Sequence, residues 1–327
     1  MKDKLAAITK IIIDPTLNYS TLRDGCNALM DFFYKAVSFE ETAITNKHVY
    51  TQTGLAVSPY SAAFCIIDIL RTRNFLLAVK TAIEDKLKAQ PNKPVVILYA
   101  GTGPFATLVT PLTTLFSPKQ LRLVLMDINE HSIGYLKKII TVLNIEKYVV
   151  DIIKADAAVH KIEECHQPDI LLSETMKPGL DKEPQVSIIT NLLPQCKQNV
   201  ILMPQSISIE LVLKGNRANN KNEICCLAKL LTFDADMAIK LATQTENIPI
   251  FSSGITITIP PPTSSSFTEL VLETQIQLYG NNYLNRNETS LTIPLKIAST
   301  TDFEYPTTFN VKYKMDKTPG FVFTHIE

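Results

Sequence analysis

Apolar residues along this chain recur at more than one period, and the period changes from segment to segment. Up to about residue 90 the spacing is helical. Leu22, Cys26, Leu29 and Phe33 fall on one face after a start signal at Ser20. A second helix opens with Ser58 as N-cap and Pro59 at the first helical position, then runs apolar through Leu70. From Pro94 to Pro204 short β-branched runs alternate with helical segments: Val95 to Leu98, Leu121 to Met126, Val149 to Ile153, Ile170 to Leu172, and Val200 to Met203. That alternation predicts a parallel sheet with crossover helices. After Pro204 the pattern becomes alternating strands broken by turns, as in Ile255 to Ile259, Glu269 to Leu278, and Phe309 to Met315, which predicts an antiparallel sandwich or barrel. Polar loops are expected at 214–223 and 260–266. The predicted fold class is α/β plus all-β: an N-terminal helical segment over 1–90, a doubly wound parallel sheet over 91–205, and an antiparallel β-barrel or sandwich over 206–327.

Length and composition fit that division, since 327 residues with 46% hydrophobic content supply sizeable cores for two domains. Thirty-two basic residues balance thirty-two acidic ones, so no global field draws nucleic acid or an anionic membrane, and neither is expected as a partner. The apolar run Ile11-Ile12-Ile13 is too short for a signal peptide, and no stretch approaches membrane-spanning length. The expected location is cytoplasmic. The six cysteines form no CxxC pair and sit mostly among apolar neighbours, which reads as reduced core thiols. Five scattered histidines leave no expected metal site.

Candidate chemistry gathers at strand ends. The first strand of the parallel region runs into Ala100-Gly101-Thr102-Gly103-Pro104, and the second ends at Asp127, twenty-four residues after Gly103. In doubly wound folds glycines let backbone approach a ligand there, and an acid after the second strand accepts ribose hydroxyls. Tight turns also need glycine for positive φ alone, so it is the downstream acid that turns the pair into a nucleoside site. A third strand runs into Lys154-Ala155-Asp156-Ala157, which sets Asp156 either against an adenine amino group or in solvent. Arg71, at the end of the apolar helix before the sheet, is placed to clamp a carboxylate bidentately or to snorkel to the surface. Dinucleotide enzymes and methyltransferases share this geometry; a carboxylate clamp favours S-adenosylmethionine over a pyrophosphate-bearing dinucleotide.

Behind the fourth strand stands Ser173-Glu174-Thr175-Met176, followed by Leu180 and Glu183, so two carboxylates nine residues apart flank one loop. A guanidinium stays protonated in water with its lone pair delocalised, and two carboxylates localise its charge and align one nitrogen for attack. A buried pair also raises one pKa enough for proton acceptance. The plainer alternative for Glu183 is a solvated loop acid beside Lys182.

These residues resemble a known family, the class I S-adenosylmethionine-dependent methyltransferases, and within it the protein arginine methyltransferases. The family's D-x-x-R-T-x-x-Y helix is matched by Asp68, Arg71, Thr72 and Phe75, and its S-E-x-M-G-x-x-L-x-x-E loop by Ser173, Glu174, Met176, Leu180 and Glu183. The resemblance spans roughly residues 45 to 327. It implies a Rossmann-like methyltransferase sheet followed by a β-barrel, with S-adenosyl-L-methionine as cofactor and a homodimer as the assembly. It also implies that Arg71 holds the methionine carboxylate, Asp127 the ribose and Asp156 the adenine edge, with Ala100, Gly101, Gly103 and Ala157 as further cofactor contacts. Glu174 and Glu183 become the catalytic acids that hold a substrate cation, and Met176 a substrate contact.

The chain also departs from that family. Ile97 and Tyr99 stand where the cofactor motif has an acid and a glycine, and Lys177-Pro178-Gly179 reshapes the acidic loop and adds a positive charge. The family's Thr-His-Trp loop has no counterpart in the barrel, and the chain contains no tryptophan. Some forty additional N-terminal residues with apolar helical faces read as a lid or a subunit contact. The expected function is N-methylation of a guanidino or amino group, on a protein arginine or on a small metabolite. Two alternatives stand beside it: an O- or C-methyltransferase using Glu174 or Glu183 as base, and a binding subunit with a degenerate site.

Overall fold

The computed structural model describes residues 1–215, 224–243, 254–261 and 267–326. Of the two predicted polar loops, residues 216–223 and 262–266 lie outside the described residues. Two helices open the chain, α1 (Lys2–Ile13) and α2 (Tyr19–Val37). The predicted apolar face of α2 is buried, but its N-cap is Asn18, whose side chain accepts from Thr21 N at 3.0 Å, in place of Ser20. Phe33 stacks on Phe105 of the central region with ring centroids 5.0 Å apart. Burying one such ring contributes about 2–3 kcal/mol, so this segment is fastened to the sheet. A short hairpin of β1 (Val49–Tyr50) and β2 (Leu55–Ala56) follows.

The helix expected to run from Ser58 through Leu70 is broken. Ser58 caps only α3 (Pro59–Phe64), a 3₁₀ turn spans Cys65–Ile67, and α4 (Ile69–Ala89) starts afresh beyond Asp68. Arg71 therefore lies in the first turn of a long helix, not at the end of a short one. Tertiary contacts stabilise the break. Asp68 Oδ2 accepts from Ser290 N at 2.8 Å and from Ser290 Oγ at 2.6 Å, while the carbonyls of Cys65 and Ile66 accept from the side chains of Arg71 and Thr72.

The parallel sheet comprises β3 (Val95–Ala100), β4 (Leu121–Asp127), β5 (Val149–Lys154), β6 (Ile170–Ser173) and β7 (Ile201–Met203), each strand overlapping its predicted run. Their order is β5-β4-β3-β6-β7, all parallel, so strand order reverses between β3 and β6. Asp169 pins that junction: its Oδ2 accepts from Val96 N at 2.9 Å and its own N–H donates to Val96 O at 2.8 Å. Helices α5 (Glu130–Leu143) and α6 (Gln185–Leu192) pack against the sheet. The first crossover, however, carries a 3₁₀ turn at Thr110–Thr114 where the alternation predicts an α-helix. Pro104 and Pro111 bracket a stretch rich in β-branched Thr and Val, which disfavours a continuous α-helix.

The last third holds two antiparallel sheets. One is ordered β12-β11-β8-β9, from β8 (Ser206–Gly215), β9 (Ile224–Asp234), β11 (Phe267–Tyr279) and β12 (Asn282–Leu284), with β13 (Leu295–Ser299) also on β11. The other is β10 (Ile255–Ile259), β14 (Thr307–Lys314) and β15 (Gly320–Ile326), ordered β10-β14-β15. A helix unmarked in the sequence pattern, α7 (Ala235–Ala242), follows β9 and packs on α6. Helix α4 packs on β11 and β12, and one continuous apolar cluster joins all three parts of the chain. All six cysteines are free, but the expected core placement holds for Cys26 alone: Cys65 and Cys196 are half-buried, and Cys165, Cys225 and Cys226 are exposed. No helix among the described residues is long and apolar enough to cross a membrane.

Candidate active site

A cavity of about 440 Å³ opens at the carboxyl ends of β3, β4, β5 and β6, where strand order reverses and doubly wound sheets bind ligands. Three parts of the chain wall it. The hairpin residues His48, Thr51 and Leu55 come from the N-terminal segment, the strand-end loops from the sheet, and Ser290 and Leu291 from the barrel. Of the residues singled out in the sequence, Arg71, Gly101, Gly103, Asp127, Asp156, Ala157, Glu174, Met176 and Glu183 all line this one cavity. Ala100 does not: it is the last residue of β3 and fully buried beneath the cavity wall.

At the cavity end beside the tips of β3 and β4, Gly101 and Gly103 adopt φ of 80° and 61°, a region open to glycine at little cost. The turn is tied to the next strand by Gly101 N donating to Met126 O at 2.9 Å. A Cβ at Gly101 would collide with Thr175 Cγ2, so this glycine admits the acidic loop to the turn. Asp127 accepts from Gly103 N at 2.8 Å through Oδ2 and from Asn129 N at 2.8 Å through Oδ1. Burial pushes its pKa from 3.8 up to about 6, against the pull of those backbone N–H groups. The Ile128 N–H acts on the same carboxylate, which keeps acceptor capacity for a further donor. Asp156 accepts from Ala158 N at 2.9 Å, which holds its carboxyl at the tip of β5.

At the other end stand four charged groups. The Arg71 guanidinium donates through Nη2 to Glu174 Oε2 and through Nη1 to Cys65 O at 3.1 Å; Arg71 is buried, and the Glu174 side chain is 7% exposed. Glu183 is 7% exposed, and burial raises its pKa from 4.5 to about 7 in spite of Lys177 and Arg71. Lys177 Nζ lies 3.8 Å from Glu183 Oε1, an ion pair beyond hydrogen-bond length. Tyr99, the departure at the cofactor motif, is buried on the cavity wall, where burial raises its hydroxyl pKa.

The acidic loop is bent and externally braced. Gly179, Leu180 and Lys182 all have positive φ, a strained conformation for the latter two. Bracing comes from the barrel: Gly179 N donates to Thr274 Oγ1 at 2.8 Å, Tyr313 Oη to Leu180 O at 2.8 Å, and Lys182 N to Pro319 O at 2.8 Å. The N-terminal hairpin adds Leu55 N donating to Lys182 O at 2.8 Å. Inside the loop, Gln185 Oε1 accepts from Thr175 N at 3.0 Å and Thr175 Oγ1 at 2.9 Å, while its Nε2 donates to Ser173 O at 3.2 Å.

Sequence reasoning missed Gln185 and His48. The position of Gln185 two residues beyond Glu183 was the one available signal for it. His48 accepts from Ser58 N through Nδ1 at 2.9 Å, a long-range contact with no local signature. One group among the described residues has metal-ligand spacing, Glu163, Cys165 and His166, and it does not line the cavity.

A parallel sheet with a crevice at its switch point, followed by antiparallel sheets that close over it, defines a Rossmann-like domain joined to a β-barrel. The same architecture occurs in a solved chain of the Trypanosoma brucei PRMT1 enzyme-prozyme heterotetrameric complex with AdoHcy. The likeness has a TM-score of 0.52 at 14% identity and covers 76% of this chain and 86% of that chain. The predicted fold class and the family resemblance are thus matched in architecture. No family model and no curated protein sequence matches the chain.

Proposed function

We propose that this protein is an S-adenosylmethionine-dependent N-methyltransferase acting on a guanidino or amino group held by Glu174 and Glu183. The observation that carries this reading is one cavity with a ribose-type acid, Asp127, at one end and, at the other, an arginine with two glutamates whose side chains are less than 10% exposed. The donor set fits the cofactor. Asp127 has acceptor capacity left for hydroxyls, Asp156 lines the same wall, and Arg71, though engaged by Glu174 and Cys65 O, keeps further N–H donors for a carboxylate. When bound, S-adenosylmethionine supplies an electrophilic methyl group on a sulfonium and leaves as S-adenosylhomocysteine.

The chain's own residues do the rest. Glu174 and Glu183 neutralise the acceptor cation and orient one nitrogen. Glu183, with a pKa of about 7, is mixed in protonation at neutral pH and takes up the proton the nitrogen sheds. Barrel and N-terminal hairpin together brace the loop that carries both acids, so their spacing is held from outside. In this reading residues 91–205 bind cofactor, 206–327 complete the acceptor pocket, and 1–90 supply the hairpin that covers it, in a cytoplasmic homodimer. A second reading, a non-catalytic binding subunit, is favoured by the Tyr99 ring on the cavity wall and by the Arg71–Glu174 pairing.

Calorimetry with S-adenosylmethionine and S-adenosylhomocysteine tests both. Absence of heat with either sinks the enzyme reading. Heat without turnover on any guanidine, amine or basic peptide favours the binding subunit.

A further inference from the structure

Resting on the proposed methyltransferase reading, we infer that Lys177 receives an anionic group of the acceptor, so the acceptor is a small ω-guanidino or ω-amino acid and not an arginine within a protein. Three observations carry this. First, Arg71, Lys177, Glu174 and Glu183 stand together with balanced charge when Glu183 is ionised, so the site is not the net-negative trap that two acids alone would make. A purely cationic acceptor would leave the site with one net positive charge. An acceptor with its own carboxylate restores the balance.

Second, Lys177 is positioned for that carboxylate. Its side chain is 44% exposed at the cavity wall, whereas the Arg71, Glu174 and Glu183 side chains are below 10%. Third, at 3.8 Å Lys177 Nζ pairs with Glu183 by charge alone and makes no hydrogen bond among the described residues. Its three N–H donors are free for a carboxylate, and the Glu183 lone pairs stay free for the acceptor nitrogen. A peptide arginine presents neutral amides at that range; a free guanidino acid presents an anion.

The test is calorimetry on the full chain saturated with S-adenosylhomocysteine, using 4-guanidinobutanoate, its carboxamide, and an arginine-containing basic peptide as probes. The expected result is that the acid binds at least about tenfold more tightly than the amide, the ratio one charge-assisted hydrogen bond supplies, and more tightly than the peptide. Lys177→Gln should bring the acid-to-amide ratio close to one, and its half-exposed position lets the variant fold, which the thermal midpoint checks. Equal binding of acid and amide, tighter binding of the peptide, an unchanged ratio in the variant, or no binding of any probe each overturns the role given to Lys177. Those outcomes leave the cofactor reading standing, because S-adenosylhomocysteine heat is measured first; its absence overturns the methyltransferase reading itself.

Discussion

Glu183→Gln should remove a specific pH dependence from the stability of this protein. Burial raises the Glu183 pKa from 4.5 to about 7, so between those values the native state holds a proton that the unfolded chain has released. A native state that binds more protons loses stability as pH rises. The contribution is fully present below about pH 4.5 and is lost as pH climbs through 7. Its size follows from the conversion of about 1.4 kcal/mol per pH unit, which gives roughly 3 kcal/mol in all, most of it between about pH 5 and pH 8. The opposing pull of Lys177 is already contained in that pKa. The amide introduced by the substitution cannot ionise. Urea unfolding of both proteins across that range should show the variant gaining on the wild type by about 2–3 kcal/mol from acid to alkaline pH. The absolute cost of the substitution cancels, because only the change with pH is read. Parallel stability curves would refute the claim that Glu183 is a buried, proton-accepting carboxyl, and with it the base assigned to the mechanism.

Asp127→Ala should abolish stabilisation by S-adenosylhomocysteine, which in the wild type at a hundredfold excess over Kd amounts to about 2.7 kcal/mol and appears as a raised thermal midpoint. An undiminished shift in the variant would remove Asp127 from the nucleoside site. Gln185→Leu strips the partner from Thr175 N–H inside a buried loop and should cost about 2–3 kcal/mol by urea unfolding, with cofactor affinity falling as well; a loss under about 1 kcal/mol would show that the loop does not depend on this clamp. Gly101→Ala combines a positive φ with a collision on Thr175 and should destabilise by about 2–4 kcal/mol; near-neutral stability would mean that Thr175 moves freely.

The two halves of the cavity differed in how far they could be read in advance. Gly101, Gly103 and Asp127 were legible because each strand of a parallel sheet ends on the same side, so residues at strand tips converge whatever the intervening loops do. Arg71 was legible as a residue but not in its setting. The break at Asp68 depends on Ser290, 222 positions away, and no local pattern records such a contact. Glu174 and Glu183 were legible as a pair, while their differing environments were not. Glu174 is bound by an arginine from another element, and Glu183 is buried by a loop whose bracing comes from Thr274, Tyr313 and Pro319.

By itself the sequence determined the fold class, the strands of the parallel sheet and the identity of the residues at their tips. These follow from hydrophobic period and turn chemistry, which are properties of neighbouring residues. Only the tertiary structure decided how the charges are shared. It set Arg71 against Glu174, left Lys177 loosely paired and half in solvent, and buried Glu183 until its pKa reached about 7. Electrostatics at a site depends on distance and on exclusion of water, and both are set by segments far apart in the chain.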